Sequence, residues 1–256
     1  MFDGKRILIT GSSRGIGLAA ARAFLDAGAR VAINGRSQAS VEAAIDSLGA
    51  GARLIAAPGD VASVAACDTV VGRATEALGG LDVLVNNAGV YAIRSVEETD
   101  EALWDAILDV GLKSAFFCSR AALPALRDGA GAIVNVSSSA GLMGFAGIAA
   151  YCAAKAGLVN LTRALALELA PDVRVNCVCP GPVDTDMGRL NLDPTLPASD
   201  ARAAFAASIP LGRMGEPEEI AEAILWLASG SSSFATGAIV AVDGGRTLGG
   251  AKRRRD

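Results

Sequence analysis

Short apolar runs alternate with amphipathic segments along nearly the whole 256-residue chain. The runs RILIT (6–10), RVAI (30–33), RLIAA (53–57), VLVN (83–86), AIVNVS (132–137), VRVNCV (173–178) and AIVAV (238–242) are short and lack polar alternation. Strands of that kind are buried on both faces, which places them in a parallel sheet with helices packed outside. Between them, apolar positions recur at spacings of three and four near 15–27, 40–48, 64–78, 100–126, 151–169 and 217–229, and these predict helices. No repeat and no linker breaks the alternation, so the pattern predicts one α/β domain over 1–256 with about seven parallel strands and helices on both faces. Only 184–200, DTDMGRLNLDPTLPASD, reads as irregular at length. A loop that long is usually functional, and the region 184–209 is the expected border of a substrate site. The predicted helix 100–126 also carries Gly111 at its middle, where glycine costs about 1 kcal/mol against alanine.

Composition narrows the function. The chain is 52% hydrophobic, enough for one large core, and only 20% charged with a net charge of −4. No broad basic surface points to nucleic acid, and the run KRRRD at the end reads as a solvated terminus. The opening MFDGKRILITG has no secretory pattern. Residues 129–154 are uncharged, but Asn135, three consecutive serines and five glycines mark that stretch as globular core, so no membrane association is expected. Five cysteines without a C-x-x-C spacing suit a reducing compartment, hence the cytoplasm; Cys177 and Cys179 read as small core residues. Histidine is absent altogether, which excludes a Ser-His-Asp triad and a His-ligated metal. Acid–base chemistry is left to carboxylates, lysine, cysteine or tyrosine, and no metal is expected.

Three motifs carry chemistry. In ILITGSSRGIGLAAARAF the first strand meets the first helix through Gly11, Gly15 and Gly17. Glycines there let the backbone approach a phosphate, which the helix N-terminus then attracts with unpaired N–H groups. The second strand ends in VAINGRS. An acid at this point would bond the ribose 2′-hydroxyl of NAD, but the chain has Asn34, Gly35 and Arg36, with Arg14 in the glycine loop as a second cation. Two guanidinium groups and no carboxylate suit a 2′-phosphate, favouring NADP (NADPH) over NAD. In YCAAK, Tyr151 and Lys155 are four residues apart and share a helix face. A free tyrosine titrates near pH 10, and a neighbouring ammonium is expected to lower that value.

TGSSRGIG, NNAG (86–89), NVSSSAG (135–141), YCAAK and PGPVDT (180–185) stand in an order and spacing that resemble the short-chain dehydrogenase/reductase superfamily, over about residues 4–245. GRMGEPEEIAEAILWLAS (212–229) and VDGG (242–245) are most similar to its bacterial NADP-dependent reductases of the ketoacyl-reductase-like group. The resemblance implies a Rossmann-like doubly wound sheet and hydride transfer between nicotinamide and a small-molecule carbonyl or secondary alcohol. It implies that Tyr151 is the general acid and base, that Lys155 lowers its pKa and holds the nicotinamide ribose, and that Ser138 bonds the substrate oxygen. It assigns the cofactor to Gly11, Ser13, Arg14, Gly15, Ile16 and Gly17, to Arg36, to Asp60 and Val61 beside the adenine, to Asn87, Ala88 and Gly89, and to Pro180, Gly181, Val183 and Thr185. Thr185 would contact the carboxamide. By the same analogy Leu142, Met143, Phe145, Ile148, Met187 and Leu190 wall the pocket, whose few cations favour a neutral or weakly polar substrate over a dianionic one. An acyl-carrier-protein substrate is disfavoured because only Arg127 is cationic in RDGAGAIV. The resemblance also implies a homotetramer built partly from the helices at 100–126 and 151–169.

One position departs from the family pattern. Gly111 stands where V-N-L usually places an asparagine that marks a helix kink and whose carbonyl holds a relay water. Glycine keeps the carbonyl and permits the kink but loses the anchoring side chain. A catalytically weak NADP-binding regulatory protein on the same fold is therefore the alternative. A non-redox enzyme is disfavoured by the intact glycine loop and paired arginines.

Overall fold

The strands β1 (Arg6–Ile9), β2 (Arg30–Ile33), β3 (Leu54–Ala56), β4 (Val83–Asn86), β5 (Ala132–Val136), β6 (Arg174–Pro180) and β7 (Ile239–Val242) form one sheet in a computed structural model that describes residues 1–249. Their order is β3-β2-β1-β4-β5-β6-β7, and every pairing is parallel. The chain winds outward from β1 to β3 and then returns to pair β4 with β1. That reversal opens a crevice at the carboxyl ends of β1 and β4, where doubly wound sheets bind ligands. Along β1, Ile7 and Ile9 join one core while Leu8 between them joins the other. The first core packs under α1 (Gly15–Asp26), α2 (Gln38–Leu48) and α9 (Pro217–Ala228); the second lies under α3 (Val64–Leu78), α5 (Ser114–Arg127) and α6 (Ala149–Leu169). This two-sided burial is why the strands read as unbroken apolar runs.

Two regions differ from the sequence expectation. The helix at 100–126 is three pieces: α4 (Glu101–Leu108), a π-helical turn over Asp109–Lys113, and α5. The π turn, with Gly111 buried at its centre, takes up one more residue than an α turn and supplies the kink. A β-carbon at Gly111 would lie 3.5 Å from Ala154 Cβ, an ordinary contact, so packing does not demand glycine there. The closer approach is one residue on, where Leu112 seats against Gly157; a β-carbon on Gly157 would come within 2.8 Å of Leu112 Cδ2.

The irregular stretch at 184–200 also holds structure, namely α7 (Asp186–Arg189) and α8 (Ala198–Ala206). α8 buries only Ala201, so it lacks the apolar stripe by which an amphipathic helix is read. Asp184 holds both pieces, accepting from Arg189 Nε at 2.8 Å and from Arg202 at 2.5 and 3.0 Å. None of the described helices is long and apolar enough to cross a membrane. KRRRD lies outside the described residues.

Candidate active site

The glycine loop is clamped from both sides by side chains bonded to backbone. Thr10 Oγ1 accepts from the amides of Asn87 (3.0 Å) and Ala88 (3.1 Å), and Asn87 Nδ2 donates to the carbonyls of Thr10 (3.0 Å) and Gly11 (2.9 Å). On the other side Asn34 Oδ1 accepts from Gly11 N at 3.1 Å while its Nδ2 donates to Ala57 O and Gly59 O. Glycine is required at two places. Gly11 has φ +62° and its β-carbon would lie 2.9 Å from Ala88 Cα, and a β-carbon on Gly17 would meet Asn87 Nδ2 at 2.5 Å. No side chain caps α1 at Arg14, so the amides of its first turn, from Gly15 through Ile16 and Gly17, are left for a ligand. A narrow backbone cradle ending in uncapped amides fits the pyrophosphate of a dinucleotide.

Asn34, the residue after β2, is a buried clamp whose two amide N–H groups are both spent on backbone carbonyls, leaving no donor for a ribose. Gly35 is buried beside Ser13 and Ser40, whose atoms would lie 2.9–3.1 Å from a β-carbon at that position. Arg36 is exposed just beyond. The other cation of the expected pair is engaged elsewhere: Arg14 Nη1 lies 3.8 Å from Asp186 Oδ2, both side chains being mostly exposed. Asp60 follows β3 and is exposed, with Val61 buried beside it.

The three residues expected to be catalytic, Ser138, Tyr151 and Lys155, meet where the end of β5 faces α6. Of three consecutive serines, Ser137 donates to Lys155 O at 2.8 Å and Ser139 is buried. Ser138 accepts from Ala140 N at 3.1 Å, and its hydroxyl interacts with Tyr151. Gly141 lets the turn after Ser138 lie on α6, since a β-carbon there would be 2.6 Å from Lys155 O. Lys155 Nζ donates to Val136 O at 2.9 Å and sits 5.7 Å from the Tyr151 ring centre. Gly89, at the end of the nucleotide crevice, is its neighbour: a β-carbon there would be 3.6 Å from Nζ.

Burial pushes the Tyr151 phenol up to about 12, against a smaller lowering by the Ser138 hydroxyl. Burial likewise pulls the Lys155 ammonium down to about 8. This departs from the expectation that the ammonium lowers the phenol. Both groups lose hydration, which disfavours both charged forms, and Lys155 is turned toward a carbonyl. At neutral pH Tyr151 therefore carries its proton and Lys155 its charge.

Two residues at the site were not singled out by sequence reasoning. Tyr91 packs edge-on against Tyr151, ring centres 5.0 Å apart, and its hydroxyl bonds Asn191 Oδ1. Asn191 Nδ2 in turn donates to Gly188 O at 3.1 Å. The sequence signal for Tyr91 was its place two residues after NNAG; Asn191 lay within the stretch read as irregular. Thr185 caps α7, accepting from Gly188 N at 3.0 Å, while its methyl faces Gly15. Pro180 ends β6, and Gly181 lies against Asp243, where a β-carbon would be 2.6 Å from Cα. Val183 bridges to Gly215. A cavity of about 290 Å³ opens between Gly15, Thr185, Asp186, Arg189 and Pro217. Phe145 and Ile148 pack with the Tyr151 cluster, whereas Leu142, Met143, Met187 and Leu190 are exposed at the mouth.

A family model described as enoyl-(acyl carrier protein) reductase matches residues 11–247. The chain is 44% identical over 246 residues to 2-(S)-hydroxypropyl-CoM dehydrogenase 3 of Xanthobacter autotrophicus, covering 94% of this chain and 96% of that one. It is 44% identical over 247 residues to meso-2,3-butanediol dehydrogenase of Serratia marcescens, covering 96% of each. Among solved structures, a short-chain dehydrogenase/reductase with the further description glucose/ribitol dehydrogenase, from Brucella melitensis, superposes with a TM-score of 0.89 at 34% identity, covering 96% of this chain and 97% of the other.

Proposed function

The chain belongs to the short-chain dehydrogenase/reductase superfamily, an oxidoreductase family acting on alcohols or carbonyls, and on that premise we propose that it is an NADP(H)-dependent enzyme using Tyr151 as general acid and base. The observation that carries the reading is a buried Tyr151 with Ser138 at its hydroxyl and Lys155 one helical turn away, its ammonium 5.7 Å from the Tyr151 ring centre. Ser138 and Tyr151 hold the substrate oxygen between their hydroxyls. In reduction the Tyr151 proton passes to that oxygen, and in oxidation the phenolate takes it back. The Lys155 ammonium favours the phenolate formed in between. A bound nicotinamide supplies the hydride for reduction and accepts it in oxidation. Gly11, Ser13, Gly15, Ile16 and Gly17 would hold the pyrophosphate, Asp60 and Val61 the adenine, and Asn87, Ala88, Gly89, Pro180, Gly181, Val183 and Thr185 the nicotinamide end.

Preference for NADP rests on Arg36 and on the absence of an acid at 34–36, with Arg14 free to exchange Asp186 for phosphate, because a 3.8 Å pair between exposed groups contributes little. NADPH is expected to bind at least tenfold tighter than NADH, about 1.4 kcal/mol, and Arg36→Asp to erase most of the difference. Fluorescence titration with both cofactors tests this, and equal affinities in the unmodified protein overturn it. The regulatory alternative is not favoured, since every catalytic position but Gly111 is filled and the π turn keeps the kink.

Two exposed apolar groups support a homotetramer. Trp104, Phe116 and Leu167 lie on α4, α5 and α6, while Trp226, Phe234 and Leu248 lie near α9 and β7. Two such groups suit the two interfaces of a dihedral assembly. Light scattering should give about four times the 25.7 kDa chain mass. A cytoplasmic setting is supported by five unbridged cysteines.

A further inference from the structure

The segment after β7 returns to the mouth of the catalytic pocket and brings a cation with it. Asp243, the nearest acid in sequence, is occupied locally: it accepts from the amides of Gly245 (2.9 Å) and Thr247 (2.8 Å) and from Thr247 Oγ1 (2.7 Å). Those bonds curl residues 243–248 into a tight turn laid against 208–211. β-Carbons at Gly244 and Gly245 would meet Ile209 at 2.7 Å and Pro210 at 3.1 Å. The turn sends Arg246 between two aromatic rings, with its guanidinium carbon 5.4 Å from the centre of Phe145 and 5.5 Å from that of Phe205. Its Nη1 donates to Ser208 O at 3.2 Å and to Ser208 Oγ.

This placement joins three segments far apart in sequence. Phe145 packs in the same cluster as Tyr151, and Phe205 stands on α8 in the segment that borders the mouth. The cation thus lies over a ring that packs against the cluster holding Tyr151, and the expected wall residues Leu142, Met143 and Leu190 are exposed and apolar. Among the described residues no carboxylate pairs with Arg246. Aromatic faces attract a guanidinium without neutralising it. They also fix its plane, and a guanidinium held in one plane offers its remaining N–H edge to a planar anion through two parallel bonds.

We infer that Arg246 is a specificity-determining residue that binds a carboxylate carried by the substrate at the end remote from the reacting carbon. It stands against the expectation of a neutral or weakly polar substrate, which was drawn from wall residues that did not include the C-terminal turn. The inference rests on the reading that the reacting carbonyl sits at Tyr151, so the test separates binding from turnover.

Calorimetric titration with cyclohexanecarboxylate and with cyclohexanecarboxamide compares one ring with and without the charge. Kinetics with 4-oxocyclohexanecarboxylate and its amide repeat the comparison with NADPH present. In the unmodified protein the acid should exceed the amide tenfold or more in affinity, and the kinetic preference should reside in KM. In Arg246→Gln the ratio of acid to amide should fall below about threefold. That ratio is informative because a variant that merely loosened α8 would weaken both ligands alike. Equal binding of acid and amide by the unmodified protein, no binding of the acid at millimolar concentration, or a preference that survives in Arg246→Gln overturns the inference. A charge preference lost in Arg246→Gln without turnover of either ketone upholds the subsite and removes the oxidoreductase reading. Turnover of both ketones without preference does the reverse.

Discussion

The crevice at β1–β4 and the mouth at β5–β7 are held by opposite means. At the crevice, Thr10, Asn34 and Asn87 bond to main-chain amides and carbonyls, so each bond fixes the path of the loop itself. At the mouth, the contacts run between side chains on more exposed segments: Tyr91 to Asn191, Asp184 to Arg189 and Arg202, Arg246 to Phe145 and Phe205. Exposed polar pairs contribute 0–1 kcal/mol, whereas a buried main-chain group deprived of its partner costs about 1–3 kcal/mol. The crevice is therefore a preorganised template, and the mouth is a set of weak links that can be re-spaced without unfolding the sheet. A common cofactor and a variable substrate call for that division.

The largest effect is expected where the two halves meet. Tyr151→Phe removes the proton that this geometry offers the substrate while leaving the ring against Tyr91. Turnover should fall by 10² or more, the range of lost general acid–base catalysis, with cofactor affinity retained. Steady-state rates and a cofactor titration on the same sample check both halves of the statement. Near-normal turnover would place the proton donor elsewhere.

A paired substitution tests the contrast directly. Asn34→Ala strips partners from Gly11 N, Ala57 O and Gly59 O and should lower stability by about 2–3 kcal/mol in urea unfolding, along with cofactor affinity. Asn191→Ala, at the mouth, should change stability by less than about 0.5 kcal/mol and act on KM for the substrate. Equal losses of stability at the two positions would break the comparison.

The same contrast accounts for what the sequence made legible. Strands buried on both faces advertise themselves as apolar runs, and the glycines at 11 and 17 are dictated by backbone approaches that no other residue allows. The spacing of Ser138, Tyr151 and Lys155 follows from one strand end facing one helix, so motif and geometry coincide. The mouth left weaker traces. α8 hides a single residue and shows no stripe, Tyr91 and Asn191 are a hundred residues apart, and Arg246 reaches Phe145 only because the sheet brings the end of β7 beside β6. The π turn was visible as a misplaced glycine but not as an inserted residue, because an apolar period of 3.6 tolerates one extra position within a long helix. The phenol's upward shift was hidden for a different reason: spacing reveals a neighbouring charge, while burial depends on the assembled core.

Lys155 provides an intermediate effect with a defined sign. Its ammonium, pulled down to about 8, is present below that pH and lost above it. If it holds the cofactor and the phenolate, kcat/KM for the cofactor should fall up to tenfold per pH unit above about 8, and a profile flat to pH 10 would contradict the role. Stability should move the other way. Between pH 8 and the ordinary value of 10.5 the unfolded chain binds the additional proton, so this group makes folding more favourable as pH rises through that window. Lys155→Met should remove that rise when both proteins are unfolded in urea at pH 7.5 and 9.5.

The smallest and most discriminating effect is expected at Gly111→Asn. Asparagine has a better intrinsic helix propensity than glycine by a few tenths of a kcal/mol, and the space beside Ala154 accepts a β-carbon at 3.5 Å. The amide beyond it must find partners in a buried position, which opposes the gain, so the melting temperature should shift by only a few degrees. Turnover separates the two accounts of the glycine. If the main-chain carbonyl of the π turn serves a relay that merely lacks an anchor, Asn should raise turnover at neutral pH, most where proton transfer limits the rate. If the turn geometry alone suffices, turnover will be brisk with glycine and unchanged or lower with asparagine. The structure favours a small gain, because the π turn already sets the kink and leaves only the side-chain anchor to be supplied. A loss of turnover with an unchanged melting temperature would mean that the added amide disturbs α6 at Ala154, the residue before Lys155, making the glycine a fitted part of that wall.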